Sequence, residues 1–153
     1  MAVTTTERNE SVKHLLNGTY TVSKSIVPLH CQIGKPQLLG KTLQVQFGVI
    51  IGFTGDVKGQ LILAGNMETF GTIGETMYGM PLAGEMLTSF SGELGNMLAG
   101  GLATKVAEAG IRTDITSPTI IQGDMNVSGY NKAIYMDAVF DAVGTLDIYL
   151  LLD

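Results

Sequence analysis

Residues 84–110 read GEMLTSFSGELGNMLAGGLATKVAEAG, and the fold turns on how that stretch is read. Met86, Leu87, Phe90, Leu94, Met97, Leu98, Leu102 and Val106 recur in steps of three and four, the spacing of an amphipathic helix. At roughly 100° per residue they centre on one side of the cylinder. Ser89, Glu93 and Asn96 gather on another stripe, within about 60° of one another. Beside that stripe runs a strip of Gly92, Gly95, Ala99 and Ala103. Glycine costs about 1 kcal/mol in a helix interior relative to alanine. Its use at Gly92, Gly95, Gly100 and Gly101 therefore signals that another backbone must come close.

Upstream of this helix the period changes. Residues 43–53, LQVQFGVIIGF, alternate and then run apolar, which predicts a strand. Residues 54–59 form a turn and 60–64 a returning strand, so the pair is a hairpin. Asn66 is the expected N-cap of a helix over 67–78, packing Met67, Phe70, Ile73 and Met77 inward and ending at Gly79-Met80-Pro81. Further back, Ser11 is the expected cap of a first helix that runs to about Ile26, with Pro28 beyond its end. Residues 29–33 form a short strand. The stretch 34–42, GKPQLLGKT, superficially looks like a phosphate-binding loop. It has one residue too many between its glycines and is followed by a strand where that motif requires a helix, so it is a loop.

Downstream, residues 111–116 and 119–122 are expected strands broken at Pro118, with a turn at Gly123-Asp124. Residues 133–140 and 144–152 close the chain as a second hairpin. Helix, short strand and hairpin thus appear in each half, with an extra helix in the middle, a weak internal duplication. Hairpins predominate and no regular βαβ alternation appears. The expected fold is α+β: a largely antiparallel sheet with helices packed on it. Residues 1–9 read as a flexible arm and 10–153 as a single domain.

Composition narrows the function. Hydrophobic residues are 45% and charged residues 15% of 153, which suits one globular domain with a buried core. A net charge of −5 without a basic cluster argues against a nucleic-acid or anionic-membrane surface. The one cysteine, Cys31, reads as a buried small hydrophobe and allows no internal disulfide. The polar N-terminal residues carry no apolar signal segment and no run reaches membrane-spanning length, so a cytoplasmic protein is expected. His14 and His30 have no plausible ligand set, so no metal of its own is expected. Ser89 lacks a histidine nearby in sequence and any Gly-x-Ser-x-Gly elbow, and reads as a surface hydroxyl, not a nucleophile. By the residues alone, Pro118 reads as a strand bend and Glu93 and Asn96 as solvated positions on an amphipathic helix.

The run Gly92-Glu93-Leu94-Gly95-Asn96-Met97, with Ser89 before it and Pro118 after it, resembles the signature of the CheC/CheX/FliY family, phosphatases of the chemotaxis response regulator CheY. That signature is Asp or Ser, then Glu-x-x-Asn on a helix, then a proline further on. Residues 52–59, GFTGDVKG, also look like the CheX branch. The first helix offers His14-Leu15-Leu16-Asn17, with no glutamate in the corresponding place, which favours the CheX type with a single site. The resemblance implies a homodimer formed through the sheets. It also implies an aspartyl-phosphate substrate on a CheY-type partner that brings its own Mg2+ and lysine.

The residue types suit that chemistry. Asn96 can hold a water in line with the phosphorus, donating and accepting hydrogen bonds without charge. A carboxylate there would be repelled by the phosphoryl oxygens. Glu93, one turn away, can pair with the partner's lysine. Ser89, Gly92, Gly95, Ala99 and Pro118 are the expected docking residues. The alternative is a non-catalytic module that binds a receiver or associates with the flagellar switch. In a third reading the helix face is a subunit interface, which places Glu93 and Asn96 buried in an oligomer.

Overall fold

The computed structural model describes residues 5–153, with side chains described from residue 10. Among these, three helices and eight strands follow one another: α1 (Thr5–Ser25), β1 (Cys31–Ile33), β2 (Gln37–Leu38), β3 (Leu43–Gly55), β4 (Gly59–Ala64), α2 (Met67–Tyr78), α3 (Glu85–Ala107), β5 (Thr113–Ile115), β6 (Thr119–Val127), β7 (Lys132–Phe140) and β8 (Gly144–Leu152). All strand pairs are antiparallel. The fold is α+β, as the hairpin pattern predicts.

Local chemistry sets the element ends. Asn66 caps α2, its Oδ1 accepting the Thr69 N–H at 2.7 Å. Gly79 closes the same helix in the left-handed region at φ 74°, its N–H bonded to the Glu75 carbonyl. Two expectations at element ends are corrected. Ser11 lies inside α1, which already runs from Thr5; of the expected arm, residues 1–4 lie outside the described residues. Gly123-Asp124 is not a turn. Phe47 faces Gln122 and Val45 faces Met125, so two residues of β6 oppose Gln46 alone. That is a β-bulge, and Gly123 supplies its positive φ of 101°. The strand therefore continues to Val127.

The sheet order is β1-β7-β8-β4-β3-β5, with β2 also on β7 and β6 also on β3. Exchanging β1 with β5, β2 with β6, β3 with β7 and β4 with β8 maps this order onto its reverse. The duplication is therefore real at the level of topology, and each half lends its first two strands to the other half's hairpin. The main core lies between helices and sheet. Phe47, Val49 and Ile51 of β3, Leu146, Ile148 and Leu150 of β8, and Leu94, Leu98 and Leu102 of α3 all belong to it. Full burial of each such leucine contributes about 2 kcal/mol. A second cluster, with Ile62, Ala64, Ala133 and Leu151, occupies the opposite face by the period-two alternation. Met67, expected in the core, is 48% exposed at the first turn of α2, while Phe70 and Ile73 are fully buried.

The glycines of α3 explain how close it sits. A Cβ at Gly95 would stand 2.9 Å from Val49 Cγ1, and one at Gly101 would stand 2.7 Å from Val22 Cγ1 of α1. α1 reciprocates, since a Cβ at Gly18 would meet Leu102 at 2.8 Å. So Gly95 seats α3 on its own sheet, and Gly101 with Gly18 seats it on α1.

Candidate functional site

The first half of α3 forms one wall of an open cleft of about 620 Å³. Thr88, Ser89, Gly92, Glu93 and Asn96 supply that wall. Ile115, Thr116, Ser117 and Pro118, between β5 and β6, supply the other, with Ile120. The helical stripe read from the sequence therefore faces a concave surface. Ser89 and Glu93 are exposed and Asn96 is half-buried. Among the described residues, neither the Glu93 carboxylate nor the Asn96 amide has a hydrogen-bond or ion-pair partner within the chain. Both are available to an incoming molecule. Glu93 is the one charged residue in the lining, and the lining holds no Lys, Arg or His.

Gly92 is buried at the cleft wall, where a Cβ would stand 3.5 Å from Ile120 and 3.7 Å from Pro118. Its missing side chain leaves room between the two walls. Pro118 is exposed and faces that gap. Gly95 and Ala99 are corrected. Both are buried, Gly95 lies against Val49 and Ile51, and Ala99 is fully covered within the main core. They cannot touch a docked protein; they set how deeply α3 sits.

Sequence reasoning missed what holds the second wall. The Thr116 N–H donates to the Gly52 carbonyl at 3.0 Å, and the Gly52 N–H donates to Thr116 Oγ1 at 2.8 Å. This two-point clamp ties the wall to β3, the strand beneath α3. A Cβ at Gly52 would stand 3.2 Å from Thr116 Oγ1, so the glycine makes room for the clamp. Gly52 inside the apolar run of β3 was the available signal, since a strand glycine often marks close approach of another backbone. Across the cleft, Gln122 Nε2 lies 3.5 Å from Thr88 Oγ1, a weak link between β6 and α3.

Both fold and cleft have counterparts. The chain superposes on the chemotaxis protein CheX from Vibrio vulnificus with a TM-score of 0.78 at 22% identity, covering 94% of this chain and 99% of that one. It superposes on the CheX–CheY–BeF3–Mg2+ complex from Borrelia burgdorferi with a TM-score of 0.77 at 21% identity, covering 93% of this chain and 97% of that one. These likenesses define the class by architecture. Residues 47–133, more than half of the chain, match the family model described as chemotaxis phosphatase CheX, and the chain belongs to that family. The matched span contains Ser89, Glu93, Asn96 and Pro118. In sequence, the chain is 28% identical over 144 residues to the CheY-P phosphatase CheX of Thermotoga maritima, covering 91% of this chain and 93% of that protein. No helix among the described residues is long and apolar enough to cross a membrane.

Proposed function

We propose that this protein hydrolyses the aspartyl phosphate of a CheY-type receiver, with Asn96 positioning the attacking water and Glu93 pairing with the receiver's lysine. The observation that carries this reading is the pair itself. A carboxylate and an amide stand one turn apart, without partners among the described residues, on the wall of a cleft whose lining holds no Lys, Arg or His. A phosphoryl group entering it must have its charge balanced from its own side, by the receiver's Mg2+ and lysine. The Borrelia complex holds CheX with CheY, BeF3 and Mg2+, which supports a receiver as partner and its metal as the source of charge.

An acyl phosphate already reacts with water, so the chain's task is positioning. Asn96 Oδ1 accepts a hydrogen bond from the water and Nδ2 donates one to it or to the phosphoryl oxygens, fixing the approach line. Glu93 fixes the register of docking through a charge-assisted hydrogen bond. The glycine at 92 leaves the gap through which the receiver's loop reaches Asn96. In this reading the protein works in the cytoplasm beside its receiver, and it forms a homodimer through its sheet. The outer edge of β6 supports the dimer, since β6 pairs with β3 alone among the described residues and is exposed from Gln122 to Asn126. The test is phosphate loss from a phosphorylated CheY-type receiver in Mg2+, with and without this chain. Acceleration that Asn96→Ala removes supports the reading. Tight binding without acceleration overturns it in favour of a binding module.

A further inference from the structure

We propose that a groove beside the cleft docks an apolar side chain of the same receiver, flanked by a basic one, and so supplies affinity separately from the chemistry. This rests on the phosphatase reading of Glu93 and Asn96. The groove encloses about 580 Å³ between the end of α2, the link over residues 79–84 and the first turns of α3. Phe90 and Leu82 are its floor, and Tyr78, Met80 and Met86 are its rim. Tyr78 is 56%, Met86 50% and Met80 47% exposed. Large exposed apolar side chains scattered singly need no explanation, but three converging on one concavity do.

The rim is also braced. The rings of Tyr78 and Phe90 meet edge to face with centroids 5.6 Å apart. A Cβ at Gly74 would stand 2.5 Å from Leu82 and 3.1 Å from Phe90, so the glycine lets both slide beneath α2. An aromatic side chain already held in place costs little entropy on binding, and methionines adapt to the shape beside it.

Two observations choose the occupant. Ser89 and Glu93 line both the groove and the cleft, so the two form one continuous surface. A protein that brings its phosphoryl group to Asn96 must cover Ser89 and Glu93, and its surface then extends over the groove. The charged residues in the groove are Glu85 and Glu93, both acidic. An apolar contact beside a lysine or arginine complements that lining; an acidic contact does not.

The experiment uses the full chain and a CheY-type receiver activated with beryllofluoride and Mg2+. The Kd is measured for wild type, Tyr78→Ala/Met80→Ala, Asn96→Ala and, as control, Tyr20→Ala on α1. Phosphate loss is then measured at saturating receiver, with light scattering on each variant. The groove variant should weaken binding by about tenfold or more, with the saturated rate within about twofold of wild type. Asn96→Ala should show the reverse, and Tyr20→Ala neither. Wild-type affinity in the groove variant overturns the proposal, as does a change in self-association in place of receiver affinity. If wild type binds but does not hydrolyse, the affinity arm still decides the groove while the phosphatase reading fails. If wild type does not bind the receiver, both fail.

Discussion

At the scale of single residues, the account depends on Asn96 being an amide and on Glu93 being unengaged. Removing one preorganised hydrogen-bonding group from a transition state typically costs about 3 kcal/mol, or on the order of a hundredfold in rate. Asn96 is half-buried and has no partner among the described residues, so Asn96→Ala should leave thermal stability within about 0.5 kcal/mol of wild type. A second residue-scale prediction lies on the far face of the sheet. The Tyr135 hydroxyl donates to Asp147 Oδ1 at 2.7 Å, and Asp137 stands directly opposite Asp147 in the strand register. Burial raises the Asp147 carboxyl above its ordinary 3.8, against the lowering effect of the Tyr135 bond and with the help of Asp137. A carboxyl whose folded pKa is raised is well tolerated while protonated and costs stability once ionised. The wild type thus loses stability as pH rises from the unfolded value through the folded one. Asp147→Asn keeps an acceptor for Tyr135 and never ionises. It should raise Tm at pH 7, with the gain disappearing near pH 3, as read by thermal melts across that range. An equal gain at both pH values would contradict it.

At the scale of elements, α3 has two kinds of glycine with opposite consequences. Gly95 lies against Val49 and Ile51, so Gly95→Val must push the helix off the sheet, and overpacking of this kind costs about 1–3 kcal/mol. Gly92 has ordinary contact distance to Ile120 and Pro118, so Gly92→Ala should gain up to about 1 kcal/mol in helix propensity while it narrows the cleft. Denaturant unfolding read beside phosphate loss should show Gly95→Val less stable, and Gly92→Ala as stable or more so but less active. Equal stability in the two would contradict the seating of α3. The same helix shows what a sequence can disclose. Its period, ends and the common stripe of Ser89, Glu93 and Asn96 were legible because helical geometry is local. The destination of the small strip was not, since a partner protein and the chain's own sheet ask for the same residues. The bulge at Gly123 was not legible either, because it exists only in the pairing of β6 with distant β3. Nor was the second wall of the cleft, which Thr116 fixes through Gly52, far away in sequence but adjacent in the sheet.

At the scale of the whole molecule, the chain is two interlocked halves in which only the second carries the Glu-x-x-Asn pattern. α1 precedes β1 as α3 precedes β5, yet α1 offers His14 and Asn17 where a second site would need Glu and Asn. One chain therefore presents one candidate cleft of this kind, and a dimer would present two. Light scattering should return twice the chain mass of 16.2 kDa at working concentration; a monomer at all concentrations would contradict sheet-mediated pairing. The central claim is that this cleft completes the hydrolysis of a receiver's aspartyl phosphate. It is tested most directly by following phosphate loss from a phosphorylated CheY-type receiver in Mg2+ with wild type and Asn96→Ala side by side. The account predicts rapid loss with wild type and loss near the receiver's own rate with Asn96→Ala, although that variant still binds the beryllofluoride-activated receiver. Undiminished acceleration by Asn96→Ala, or none by a wild type that binds, would contradict it.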